Sequence, residues 1–161
     1  MNSWFWKRIL AAAIVVPALS GAAWAGGSDD LGCSNATLKG DYAFSVLTIA
    51  SALGQNVVVG LGTFDGKGGF KQIDYPGDGI LMGLDENFRT GQTGSYTVNP
   101  NCTGFMTINL GNAVGTVENA IVISNGGRSI HGVVAGFTLG GVLTSTLTRV
   151  DFWKVASEQD D

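Results

Sequence analysis

The sequence predicts an all-β protein: a single antiparallel up-and-down β-barrel of about eight strands, closed or nearly closed. Two observations carry the strands. Helical periodicity is nearly absent after residue 35, and short runs rich in Val, Ile, Thr, Tyr and Phe recur in its place. Turn chemistry separates the runs: Asp65-Gly66-Lys67-Gly68-Gly69, Pro76-Gly77-Asp78-Gly79, Asn99-Pro100-Asn101 and Asn125-Gly126-Gly127. A third observation favours closure. The connections are hairpin-length, with no Greek-key crossover evident, and a meander of this size must hide its edges in a sandwich or a barrel.

Taken in chain order, the first residues predict export. Lys7 and Arg8 precede the apolar run from Ile9 to Val16, Pro17 breaks it, and Ala23-Trp24-Ala25 gives the small-x-small pattern of a signal-peptidase site. The run is far short of the roughly 20 residues that span a bilayer. Residues 1–25 are therefore expected to be a cleaved secretory signal, and the protein periplasmic or secreted, with no membrane span once the signal is cleaved. Asp30 does not fit a lipid-attachment box ahead of Cys33. That leaves Cys33 to pair with Cys102, the only other cysteine. Two cysteines without metal-ligand spacing in an exported protein predict one disulfide, and no metal site is expected.

Strands are expected over residues 42–50, 56–64, 70–75, 79–84, 88–98, 103–110, 117–124, 129–137 and 144–151, within one barrel domain, 26–151. An acidic flexible tail, 152–161, follows. The chain carries nine Lys and Arg against 13 Asp and Glu, and loss of Lys7 and Arg8 with the signal takes the formal net charge from −4 to −6. An acidic surface without a basic cluster speaks against nucleic acid and anionic membranes as partners. An outer-membrane barrel fits less well, because the strands are short and irregular for a girdle pattern.

One histidine excludes a multi-histidine metal site and any triad needing a second. His131 lies mid-strand, opposite Ile121 or Val122 depending on hairpin register. In a cavity it could exchange protons, and packing or solvent exposure is the blander alternative. Glu118 and Arg149 are the other ionisable groups near apolar strands. Pointing inward they would pair at the barrel mouth or hold a polar head group; pointing outward they are simply solvated. His131 and Glu118 are the weak catalytic candidates. Tyr42, Phe44 and Tyr96 would wall a ligand site, with His131 and Arg149 as its polar contacts, although core filling explains the aromatics equally well. Asp65-Gly66-Lys67-Gly68-Gly69 lacks the strand-to-helix setting of a phosphate loop and reads as a hairpin turn. Asn35 and Asn101 match the glycosylation acceptor formally, and both are discounted beside a bacterial-looking signal.

The segments Cys33…Leu38-Lys39-Gly40-Asp41-Tyr42-Ala43-Phe44, Phe64-Asp65-Gly66-Lys67-Gly68 and Tyr96-Thr97-Val98-Asn99…Cys102-Thr103-Gly104 form a pattern across most of the mature chain. It resembles a broad set of exported bacterial β-barrel proteins of uncharacterised role, which in turn look like calycin-type barrels of the allene-oxide-cyclase and dirigent kind. The resemblance implies a scaffold able to enclose a small apolar molecule. It carries over no catalytic residue, and fold alone does not imply function.

Two expectations follow. The first is an exported barrel that binds a small hydrophobic molecule, with cofactor-independent isomerisation or cyclisation as its chemical extension. The second is a non-enzymatic envelope or extracellular module with a filled core. No cofactor is expected in either. The runs Ala120-Ile121-Val122-Ile123 and Val133-Val134-Ala135 are apolar on both faces, so a homo-oligomer is expected.

Overall fold

The computed structural model of the protein describes residues 31–51, 55–77, 87–111, 115–144 and 146–156. The expected signal, the expected strand at 79–84 and the last five residues of the expected tail lie outside the described residues.

Among the described residues nine strands form one sheet: β1 (Lys39–Ser51), β2 (Asn56–Asp65), β3 (Gly69–Pro76), β4 (Arg89–Val98), β5 (Thr103–Asn109), β6 (Thr116–Ser124), β7 (Ser129–Leu139), β8 (Val142–Thr144) and β9 (Thr146–Lys154). Each of β1 to β7 pairs antiparallel with the next, β7 pairs with β9, and β9 returns to β1. The result is a closed antiparallel eight-strand barrel, with β8 a spur hydrogen-bonded to β7. The barrel is up-and-down, as the hairpin-rich sequence predicts. Its last strand corrects the expected domain boundary: β9 runs to Lys154, and Phe152, assigned to the tail, is 1% exposed in the core.

Up-and-down connectivity gives the barrel two different ends. At one end the hairpins are tight. The Asp65 carboxylate closes the β2–β3 turn by accepting the N–H of Lys67 at 2.7 Å and of Gly69 at 2.8 Å. This end is packed solid. Period-two alternation turns Tyr42, Phe64, Phe70, Tyr96 and Phe152 inward. Phe64 sits at their centre, 4.7 Å from Phe70, 5.0 Å from Tyr42 and 5.1 Å from Tyr96 between ring centroids. Gly62 makes room on β2, since a Cβ there would lie 2.7 Å from the Phe70 ring.

A short 3-10 helix, Asn35–Thr37, caps this end, with Leu38 fully buried behind it. The Asn35 side chain accepts the Val98 N–H at 2.8 Å, and the Tyr96 hydroxyl reaches the Leu38 carbonyl at 2.9 Å. The disulfide joins Cys33 of this plug to Cys102, with a Cα–Cα distance of 5.1 Å. Cys102 takes a left-handed conformation, φ 63°, in the turn after Pro100, whose carbonyl accepts the N–H of Leu31 at 2.8 Å. The cysteine at the rim of the β4–β5 turn thus ties the plug to the barrel wall.

Toward the opposite end the ladders are irregular. Register shifts interrupt β1 between Thr48 and Ala50, β4 opposite the Gln72-to-Asp74 step of β3, and β7 opposite the Glu118-to-Asn119 step of β6. Each inserts an extra residue and changes which side chain faces inward beyond it. On the outer wall, β4 presents Gly91, Thr93, Ser95 and Thr97, so the apolar outward residues of β1–β3 do not continue into a closed girdle. Among the described residues no helix is long and apolar enough to cross a membrane.

Candidate functional site

The irregular end of the barrel holds a partly open cavity of about 130 Å³. Its floor is the edge of the aromatic core, Phe44 and Phe152, and its apolar walls include Val58 of β2, Ile108 of β5, Val117 of β6 and Val134 of β7. The β7 bulge adds Phe137: Ile130, Gly132 and Val134 follow the inward parity, and the extra residue then turns Phe137 to the inside.

The polar wall comes from β3 and β4. Phe70 faces inward, so Gln72 and Asp74 do too, and both are buried. On β4, Tyr96 sets the same parity for Gln92. Arg89 would by simple alternation point away. The bulge at Thr90-Gly91, where Gly91 takes φ 79°, turns it inward opposite Asp74. Arg89 then grips Asp74 with both prongs, Nε to Oδ1 at 2.7 Å and Nη2 to Oδ2 at 2.5 Å. Gln92 Nε2 donates to Asp74 Oδ1 at 2.6 Å, and Gln72 Nε2 donates to Gln92 Oε1 at 2.5 Å. A desolvated ion pair holds only when geometry is good and its spare hydrogen-bonding capacity is met. Here three N–H groups converge on the carboxylate.

Across the cavity, β1 and β9 contribute a hydroxyl ladder. Thr48 and Thr148 lie 2.9 Å apart, Thr148 and Thr146 2.5 Å apart, and Thr146 donates to the Ala50 carbonyl at 3.3 Å. Asn119 of β6, 2% exposed, adds an amide. Two buried oxygens find no donor among the described residues: Gln72 Oε1 and Asn56 Oδ1, both on residues that line the cavity.

The structure distributes the residues singled out from sequence quite differently. Tyr42, Phe44 and Tyr96 face inward as expected, but only Phe44 reaches the cavity. The two tyrosines belong to the packed end, where the Tyr42 hydroxyl donates to the Gly127 carbonyl at 2.5 Å. Burial pushes both phenols above their ordinary pKa, so they serve as neutral structural donors.

His131, Glu118 and Arg149 correct the expectation of an inward polar anchor. Inward parity on their strands belongs to Ile130, Asn119 and Val150, which places all three on the outer wall. Glu118 stands beside Thr107 and Gly136, remote in register from Arg149, so the two do not pair. His131 lies opposite Val122 on one side and Asp151 on the other. Its Nδ1 is 2.8 Å from Asp151 Oδ1, and Arg149 Nε is 2.6 Å from Asp151 Oδ2. This cluster lies on the convex surface, with half of the imidazole exposed.

The cavity's polar residues are only partly legible in the sequence. Phe70-x-Gln72-x-Asp74 and Gln92-x-x-x-Tyr96 each place polar side chains on an aromatic, inward face. Arg89 carried no such signal, because a bulge breaks the alternation. Compared with family models, curated proteins and solved structures, the chain matches none.

Proposed function

We propose that the protein is an exported barrel that binds a small, largely apolar molecule with one polar end in the cavity at its irregular end. The observation that carries this reading is the uneven interior. The same barrel is packed solid beside the plug and hollow at the other end, and the hollow has apolar walls with a buried polar cluster on β3 and β4, a threonine ladder facing it and the Asn119 amide. Binding sites have this composition: mostly hydrophobic surface with a few placed polar groups. A cavity of about 130 Å³ suits a ring-sized ligand or the end of a longer one. Export is supported by the amino-terminal pattern from Lys7 to Ala25 and by the disulfide, which is compatible with an oxidising compartment.

The reading stops at binding. Isomerisation would need a proton acceptor, and the Asp74 oxygens are already held by Arg89 and Gln92. A thermal-shift screen of small terpenoids, aromatics and aliphatic chains tests the proposal. Hits are expected to raise Tm in the wild type and to lose that effect in Val134→Phe, which fills the cavity from β7. A screen without hits, or hits unaffected by Val134→Phe, would favour the second reading, a structural module. That alternative draws its own support from the apolar outer face of β1–β3.

A further inference from the structure

We infer that the ligand's polar end is a neutral hydroxyl, an alcohol or phenol, and neither a carboxylate nor a purely acceptor group such as an ether. This rests on the cavity being a binding site and adds what the site selects.

The argument begins at Asp74. Gripped by both prongs of Arg89, its carboxylate can only accept hydrogen bonds. Gln92 must therefore present its NH₂ to Asp74, which turns its Oε1 toward Gln72. Gln72 in turn must present its NH₂ to that oxygen. The orientation of both amides is thus dictated by the carboxylate, and the chain ends in a bare carbonyl: Gln72 Oε1, buried and without a donor among the described residues. Asn56 Oδ1, also buried, has no donor among them either.

The half-buried threonine ladder leaves acceptor capacity by a separate route. The Ala50 carbonyl can only accept, so Thr146 donates to it, Thr148 donates to Thr146, and Thr48 donates to Thr148. Every hydroxyl proton in the ladder is consumed, and Thr48 is left with acceptor capacity at the cavity wall. Asn119 offers a donor and an acceptor alike and does not discriminate.

Buried acceptors left unpaired are costly, and a ligand proton removes that cost. Charge narrows the choice further. Arg89 and Asp74 neutralise each other, so among the described residues a ligand carboxylate would lose its hydration to meet only a guanidinium whose charge Asp74 already balances, and an ammonium only a carboxylate that Arg89 already balances. A neutral O–H satisfies the acceptors without bringing a charge.

Calorimetric titration at pH 7 with four one-ring probes tests this: phenol, anisole, toluene and benzoate. Anisole is phenol with its donor methylated. Phenol is expected to bind about tenfold or more tighter than anisole and toluene, with benzoate weakest. Gln72→Met is expected to abolish the preference for phenol while toluene still binds. Asn56→Leu provides a second variant should Gln72→Met fail to fold, and the comparison of probes on the wild type needs no variant. Anisole or toluene binding as well as phenol, or benzoate binding tighter, would overturn the inference and leave the cavity reading standing. A preference for phenol that persists in both variants would overturn the assignment to these acceptors. Failure of all four probes to bind would bring down both readings together.

Discussion

Asp151 illustrates how much a single side chain on the outer wall depends on its neighbours. Burial alone would raise its pKa, but the hydrogen bonds from His131 and Arg149, with their charges, outweigh burial and hold the carboxyl below its ordinary value. A depressed native value contributes stability above the unfolded-state pKa of about 3.9 and loses it as pH falls through the folded value. Asp151→Asn is therefore expected to be destabilised relative to wild type at pH 7, with the gap narrowing toward pH 3. Urea unfolding of both proteins at the two pH values measures this, and an equal gap at both would show that the ion cluster contributes nothing. Asp151 also shows what residue order leaves open at His131, which stands half exposed on the outer wall. Its facing strand is β9, distant in sequence, and hairpin register alone left Ile121 and Val122 as alternatives. Gln72 and Asp74 were legible by parity with Phe70, whereas Arg89 was hidden by one extra residue at Gly91.

Among the elements, the strands were the most legible, since alternation and turn residues are local properties. The expected and observed limits differ by up to three residues, as at Tyr42 against Lys39 for β1. The expected strand at 144–151 proved to straddle the spur β8 and the wall strand β9. The plug was less legible: locally Asn35 shows only a formal glycosylation acceptor, and its bond to the Val98 N–H depends on a strand far along the chain. The disulfide makes that docking durable. Its cysteines are 69 residues apart in sequence, and closing such a loop restricts the unfolded chain by about 4 kcal/mol. Thiol labelling of the denatured, non-reduced protein is expected to find no free cysteine. Cys33→Ser with Cys102→Ser is expected to lose about that much unfolding free energy in guanidinium titrations. An unchanged midpoint would show that the plug docks without its covalent tie.

For the whole molecule, closure of the barrel followed from the need to hide sheet edges, but the division of the interior did not. Whether inward side chains fill a barrel depends on strand tilt and on bulges, and neither is written in residue type. The outer surface bears on the expected homo-oligomer. The outward face of β6 and β7 mixes Val122 and Val133 with Glu118 and His131. The larger apolar face lies on β1–β3, where Leu47 stands opposite Val57, Val59 opposite Tyr75, and Leu61 opposite Ile73, all exposed. If the protein self-associates, a contiguous exposed apolar patch of this kind is where a second copy would pack. Sedimentation at micromolar concentration is expected to show a dimer or larger species that Val59→Lys converts to monomer. A wild-type monomer would refute this.

The three bulges carry a consequence for how such a molecule can change. Each lies near the hollow end and alters which residue faces inward without altering which strands are neighbours. Insertion or loss of a single residue there would exchange one lining side chain for the next, while the aromatic half, tied to its plug, kept its register. The lining of the hollow and the durability of the fold are thereby written into different stretches of the same strands: the rim of the cup can be recut while its base stays sealed.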